Sequence, residues 1–205
     1  MKLTTKRQKQ AMETKKKLVK AAEKVFFEQG FQKSTIQQII KVAETGYGTA
    51  YVYFKNKDDF LVEIMQETME EFYQVATQPF KPSTQLEAEQ LISNQVKLFL
   101  SLALKNRELM KIMKEAIGIS EIVQNKWQTI RDRFISSITN DISYAQSQSL
   151  ANNELVPSIV ARSWFYTNEM FMWELVESDS SNLDELVSHM TILYTRGLYS
   201  SVESS

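Results

Sequence analysis

Cysteine is absent from this 205-residue chain. Without thiols there is no disulfide and no thiolate-bound metal, and the reducing cytoplasm is the expected setting. Proline occurs only three times, at Pro79, Pro82 and Pro157, and glycine only five times. Alternating strand-like runs between turn clusters are nearly missing, so the chain reads as all-α. The single histidine, His189, stands alone. No Glu-x-x-His pair is present for a di-metal site, and no glycine-rich loop to cradle phosphate, so neither catalysis nor a metal or cofactor is expected. No apolar run approaches the roughly 18 residues of a membrane span. The basic start, MKLTTKRQKQAMETKKK, has no apolar stretch behind it, so neither a secretory signal nor membrane insertion is expected.

What is present is a large apolar fraction and a split charge. Hydrophobic residues make up 43% of the chain, enough to bury a core in one large domain or in a small one joined to a larger one. Residues 1–57 hold 13 Lys and Arg against 4 Asp and Glu, a net +9, whereas residues 58–205 hold 11 against 21, a net −10. A basic head on an acidic body points to nucleic acid or an anionic surface as the head's partner. Taken alone, Lys15, Lys16 and Lys17 also fit a solvated helix face.

Helical periodicity divides the chain into about nine segments. The first runs from about Lys6 to Gln29, with Leu18, Ala21, Ala22, Val25 and Phe26 on one stripe and Gly30 as a left-handed cap. Ser34 or Thr35 opens a short second helix, with Gln37 or Gln38 to complete a capping box. A third starts near Gly46. A fourth is opened by Asn56 and carries Asp58 and Asp59 at its positive end. The proline-dense stretch QPFKPST (78–84) ends it. Five more patterns lie near residues 84–104, 107–116, 119–147, 155–177 and 183–202. A boundary is placed between 57 and 58, with helix 57–77 connecting a head, 1–57, to a body, 58–205.

Residues 46–57 read GYGTAYVYFKNK, which concentrates two glycines, three tyrosines and two lysines in one place. A buried helix would carry Leu or Ile here, and a solvent loop would not carry three tyrosines. Two short helices after a longer supporting one make a helix-turn-helix, whose second helix enters the DNA major groove with its N-terminal residues at the base edges. Gly46 and Gly48 then allow close backbone approach. Tyr47, Thr49 and Gln37 are the expected base readers. Thr35, Tyr51, Tyr53 and Lys57 are the expected phosphate contacts, and Thr45 is a further expected DNA contact. A helical hairpin with tyrosines as packing is the plain alternative.

These residues carry a resemblance. Thr35–Ala43 followed by Gly48-Thr49-Ala50-Tyr51-Val52-Tyr53-Phe54-Lys55-Asn56-Lys57-Asp58-Asp59-Phe60-Leu61 resembles the DNA-binding region of the TetR (tetracycline-repressor) family, where a Thr-opened helix and a turn precede G-T-x-Y-x-Y-F-x-x-K-x-x-L. Upstream, Ala21, Ala22, Val25, Phe26, Gly30 and Phe31 match that family's first helix. The likeness spans roughly residues 12–65. Three positions depart from it: Glu44 stands where the family most often has Gly, Thr45 where it has Val, and Ala50 where it has a bulkier apolar residue. Glu44 implies a turn that does without a left-handed residue or tolerates the strain.

The resemblance implies a homodimer on a palindromic double-stranded DNA operator, built by the last two long helices, with a cavity for a small apolar effector among the middle ones. Trp164, Phe171, Leu186, Met190 and Tyr194 are the expected dimer contacts. The expected effector pocket is Phe99, Met110, Met113, Trp127, Arg131, Phe134, Phe165 and Glu169. Met and aromatic stripes at helical spacing serve equally as plain core. Glu169 needs a partner within an otherwise apolar helix, and Arg162, Arg131 or a cationic ligand would serve. The expected function is a transcriptional regulator that represses until an effector binds. A regulator answering to a protein partner or to no ligand, and a helical enzyme or membrane-surface module, are the alternatives.

Overall fold

The computed structural model describes residues 6–178 and 182–199. Residues 200–202, assigned above to the last helix, lie outside them. Among the described residues there are nine helices and no strand: α1 (Lys6–Lys33), α2 (Ile36–Val42), α3 (Tyr47–Tyr53), α4 (Lys57–Ala76), α5 (Gln85–Lys105), α6 (Arg107–Ile117), α7 (Glu121–Ser147), α8 (Pro157–Glu177) and α9 (Leu183–Leu198). None of these is long and apolar enough to cross a membrane.

Side chains of the expected kinds start the helices. The Thr84 hydroxyl accepts from Glu87 N, and Glu87 returns a carboxylate oxygen to Ser83 N at 2.7 Å. Asn56 Oδ1 accepts from Asp59 N at 2.9 Å while Asp59 accepts from Lys55 N at 2.8 Å, a reciprocal lock at the start of α4. Pro157 occupies the first turn of α8, where its missing N–H costs nothing. Gly30 does interrupt α1, though not as a left-handed helical cap. Its φ of 78° and ψ of 168° fall in an extended positive-φ region open essentially to glycine alone.

The chain packs as two compact units. The first runs to Thr68 and also takes in Glu108–Trp127, a segment that the sequence pattern had grouped with the body. Its core joins Leu18, Phe26 and Phe31 of α1 to Ile39 and Ile40 of α2, Ala50 of α3, and Phe60, Leu61 and Met65 of α4, all at most 2% exposed. The Phe54 and Phe60 rings stack at 3.9 Å between centroids. Met110, Met113 and Trp127 are buried in this unit as well.

The second unit comprises Met69–Arg107 and the chain from Gln128 onward. A relay of rings fills it: Phe72 meets Phe99 at 5.4 Å, Phe99 meets Phe134 at 5.8 Å, and Phe134 meets Phe165 at 5.7 Å. The Arg107 guanidinium donates to Leu175 O and Ser178 O at 2.8 and 2.9 Å, satisfying carbonyls at the end of α8 that have no helical partner.

Candidate nucleic-acid interface

The α2–α3 segment is set by two caps and one strained residue. Thr35 is the N-cap of α2: its hydroxyl accepts from Gln38 N at 3.3 Å, and Gln38 Oε1 accepts from Thr35 N at 2.8 Å. Gln38 also exchanges hydrogen bonds with the Gln29 amide at 2.8 and 3.3 Å. Its side chain is therefore spent on architecture. Gln37, the other box candidate, is exposed and forms no hydrogen bond with any described residue.

At its far end α2 closes in a Schellman motif. Thr45 N donates to Ile40 O and Glu44 N to Lys41 O. The motif requires a positive φ at the residue after the cap, and Glu44 supplies it at 47°. The turn thus keeps its left-handed residue and bears the strain of a side chain there. Gly46, with an ordinary extended backbone, is the N-cap of α3 and offers no capping side chain.

Helix α3 buries one residue, Ala50, and turns much of the rest outward. Tyr47 is 57% exposed, Tyr51 44% and Val52 78%. Thr49 and Gly48 are exposed, and Tyr53 is half-buried. The tyrosine rings at 47 and 51 are therefore not core packing. The glycines are informative for the same reason. A Cβ built on Gly48 would meet nothing within 4 Å, and one on Gly46 would approach only Thr49 Oγ1, at 3.9 Å. Neither residue has a positive φ. At Gly48, inside the helix, the fold gives no reason to prefer glycine to alanine, although glycine in a helix costs about 0.5–1 kcal/mol, whereas Gly46 stands at an N-cap, which favours glycine over alanine.

Gln37, Thr45 and Tyr47 line one surface cleft between α2 and α3. Lys41 and Gln38 line it too, and Lys41, exposed and basic, is a candidate contact that the sequence pattern did not single out. One turn of helix separates it from Gln37, a relation visible only once α2 is placed. Thr35 is exposed at the N-terminus of α2. Lys57 is half-buried, with its ammonium donating to Phe31 O at 2.7 Å and Gln32 O at 3.0 Å and lying 4.4 Å from the Phe31 ring centroid. Its first role is to hold the end of α1.

In the second unit the remaining expected residues separate into three places. Phe99, Phe134 and Phe165 line a cavity of about 70 Å³, the space open to the centre of a water molecule. Glu169, 4% exposed, is held by Arg131, whose Nε donates to both carboxylate oxygens at 3.0 and 3.1 Å. That ion pair does not line the cavity, nor do Met110, Met113 and Trp127. Trp164, Phe171, Leu186, Met190 and Tyr194 all line a separate groove between α8 and α9. Trp164 lines both spaces and stacks on Tyr194 at 4.0 Å.

Comparison with known proteins agrees with the fold. Residues 18–64 match the sequence model of the bacterial regulatory proteins of the tetR family. The chain is 25% identical over 169 residues to the uncharacterized HTH-type transcriptional regulator YhgD of Bacillus subtilis, covering 80% of this chain and 86% of that one. A protein of Syntrophomonas wolfei described as a TetR-family transcriptional regulator shares the fold, with a TM-score of 0.74, 19% identity, and 90% and 94% of the two chains covered. SmeT, solved in complex with triclosan, is similar in fold at a TM-score of 0.69 and 21% identity, with 94% of each chain covered. The matched segment and the exposed α3 make residues 18–64 a DNA-binding segment of the tetR family, and the described helices share the fold of TetR-family structures.

Proposed function

We propose that the protein works as a homodimeric repressor on a roughly palindromic operator and is released by a small apolar effector. The observation that carries the DNA-binding half is Gly48, which stands on the exposed helix α3 where a Cβ would meet nothing in the protein. A surface that sacrifices helix propensity in this way is shaped for close approach by another molecule, here the duplex. Gln37, Tyr47 and Thr49 read base edges. Thr35, Thr45, Tyr51 and Tyr53 contact phosphate, and Lys41 and Lys55 add exposed positive charge nearby.

Dimerisation is supported by the outer face of α8 and α9. Ile159, Met170 and Leu193 are exposed there at 54%, 49% and 76%, next to the apolar groove that holds all five expected contacts. A self-complementary face of this kind pairs about a two-fold axis and presents two reading helices about 34–36 Å apart or a multiple of that. The ring-lined cavity of the second unit is the effector site, and SmeT, of like fold, is solved with triclosan. Helix α4 contributes residues to both units and carries the change from one to the other. Effector and operator then weaken each other's binding reciprocally.

Selection of bound DNA from a random pool tests the reading, with light scattering on the selected complex. The expected result is an inverted repeat bound by two chains, with log affinity falling linearly in log salt. Recovery of no sequence preference, or of a single half-site bound by one chain, rejects it.

A further inference from the structure

The cavity in the second unit has one charged group on its wall, the Asp141 carboxyl of α7. Around it stand Val96 and Phe99 from α5, Phe134 and Ile138 from α7, and Trp164 and Phe165 from α8. Two other polar side chains reach the wall, Gln95 and Asn168, and the Asn168 amide nitrogen is already spent on Trp164 O at 2.8 Å. No described residue pairs with Asp141 or donates a hydrogen bond to it. The contrast with Glu169 is direct. Both carboxylates lie in the same unit, and Glu169 has Arg131 on both its oxygens, whereas Asp141 faces the cavity without a counter-ion.

We propose that this cavity takes a small apolar amine, its hydrocarbon body lying against Phe99, Phe134, Phe165 and Trp164 and its ammonium bound by the Asp141 carboxylate. The proposal rests on the reading of the protein as an effector-released regulator and names the class of effector. A half-buried carboxylate with no cation nearby pays a desolvation cost that a cationic ligand offsets. Burial alone raises the ionisation of Asp141 from the ordinary 3.8 to about 7, which reflects the same lack of a neighbouring positive charge. An anionic head, carboxylate or phosphate, would meet the acid and find no cation on the wall to receive it. A neutral head of the same size would leave the carboxylate unpaired. The wall thereby selects by charge as well as by apolar fit. The cavity's volume accommodates a chain of a few carbons, and a bulkier amine requires the rings to move apart.

The test is calorimetric titration of the full-length protein at pH 8 with three probes matched in length: hexylamine, hexanol and hexanoate. Hexylamine is expected to bind about tenfold more tightly than hexanol, the size of one charge-assisted contact, with hexanoate weakest. In Asp141→Asn, hexylamine and hexanol should bind alike, within about twofold. Wild-type protein that binds hexanol or hexanoate as tightly as hexylamine overturns the proposal, as does an undiminished preference in Asp141→Asn or binding of none of the three. Operator affinity is measured separately, without and with hexylamine. Amine binding that leaves operator affinity unchanged upholds the amine site and rejects effector release. A selected operator that binds normally, with the three probes undiscriminated, upholds the regulator and rejects the amine site.

Discussion

The Glu115 carboxylate of α6 accepts the backbone N–H of Phe31 at 2.9 Å, across 84 positions of sequence, and that of Gln32 at 3.0 Å. Lys57 of α4 takes the carbonyls of the same two residues from the other side. The bend after Gly30 is therefore held by an acid on its donors and a base on its acceptors. Gly30 is needed for both reasons that make glycine special: its φ is positive, and a Cβ there would stand 3.1 Å from Glu115 Oε2. The same clamp fixes the chain immediately before Thr35, hence the start of α2.

Removing either jaw should loosen that bend. Lys57→Ala loses two charge-assisted hydrogen bonds and a cation–ring contact at a half-buried site, and is expected to cost about 1–2 kcal/mol, or roughly 2–8 °C in thermal denaturation. Glu115→Ala should cost about 1 kcal/mol, less because the side chain is exposed. Operator affinity should fall on all sequences alike. A Lys57→Ala protein with an unchanged melting temperature and weakened DNA binding would assign the lysine to phosphate rather than to the clamp.

Gly48→Ala separates folding from function. With nothing within 4 Å of the added methyl, the substitution should stabilise the protein by about 0.5–1 kcal/mol through helix propensity. It should also weaken operator binding by about tenfold, because the methyl stands where the duplex must come close. Thermal denaturation and gel shift on one preparation suffice. Improved or unchanged operator affinity would remove the case for close backbone approach at α3.

Much of this was legible in order, because the signals are local. Helix starts show as caps, and Thr35 with Gln38, Asn56 with Asp59 and Thr84 with Glu87 act within four residues of each other. The third helix was visible through its composition, since tyrosines and a helical glycine so close together are poor choices for any interior. Glu115 was not legible: its partners lie far away in sequence, and nothing near it differs from an ordinary surface acid. Glu169 was legible as a residue needing a partner, but the choice among Arg131, Arg162 and a ligand needed the fold. Asp141 carried no signal at all, because an acid in the last two turns of a long amphipathic helix reads as solvent-facing until the neighbouring helices are in place.

Glu44→Gly should stabilise the α2–α3 turn. The position adopts a φ of 47°, where a side chain costs roughly 1–2 kcal/mol, and glycine returns part of that to the unfolded chain's entropy. A net gain of about 0.5–1 kcal/mol is expected, read as a rise of about 1–4 °C. The ion pair with Lys17, at 3.9 Å between two exposed groups, is too weak to reverse the sign. A lower melting temperature would mean that the Glu44 side chain does something for the turn beyond its backbone.

Asp141→Asn should change the stability of the protein in a pH-dependent way. The unfolded carboxyl ionises near its ordinary 3.8, whereas burial delays ionisation in the folded protein to about 7. Between those values the folded state binds the extra proton, so stability falls as pH rises through the window and levels off above it. The other titratable groups facing Asp141 are Tyr194 and Tyr199. Burial, with a smaller contribution from the Asp141 charge, raises both above the ordinary tyrosine value, so neither contributes a charge in this range. Asparagine has no such penalty. The melting temperatures of mutant and wild type should therefore lie close together near pH 4 and separate progressively toward pH 7.5, with the mutant higher. Because the group is only partly buried, solvent screening holds the separation to a few degrees. A constant difference across the range would show that Asp141 ionises normally, and would leave its carboxylate no more in want of a cation than any surface acid.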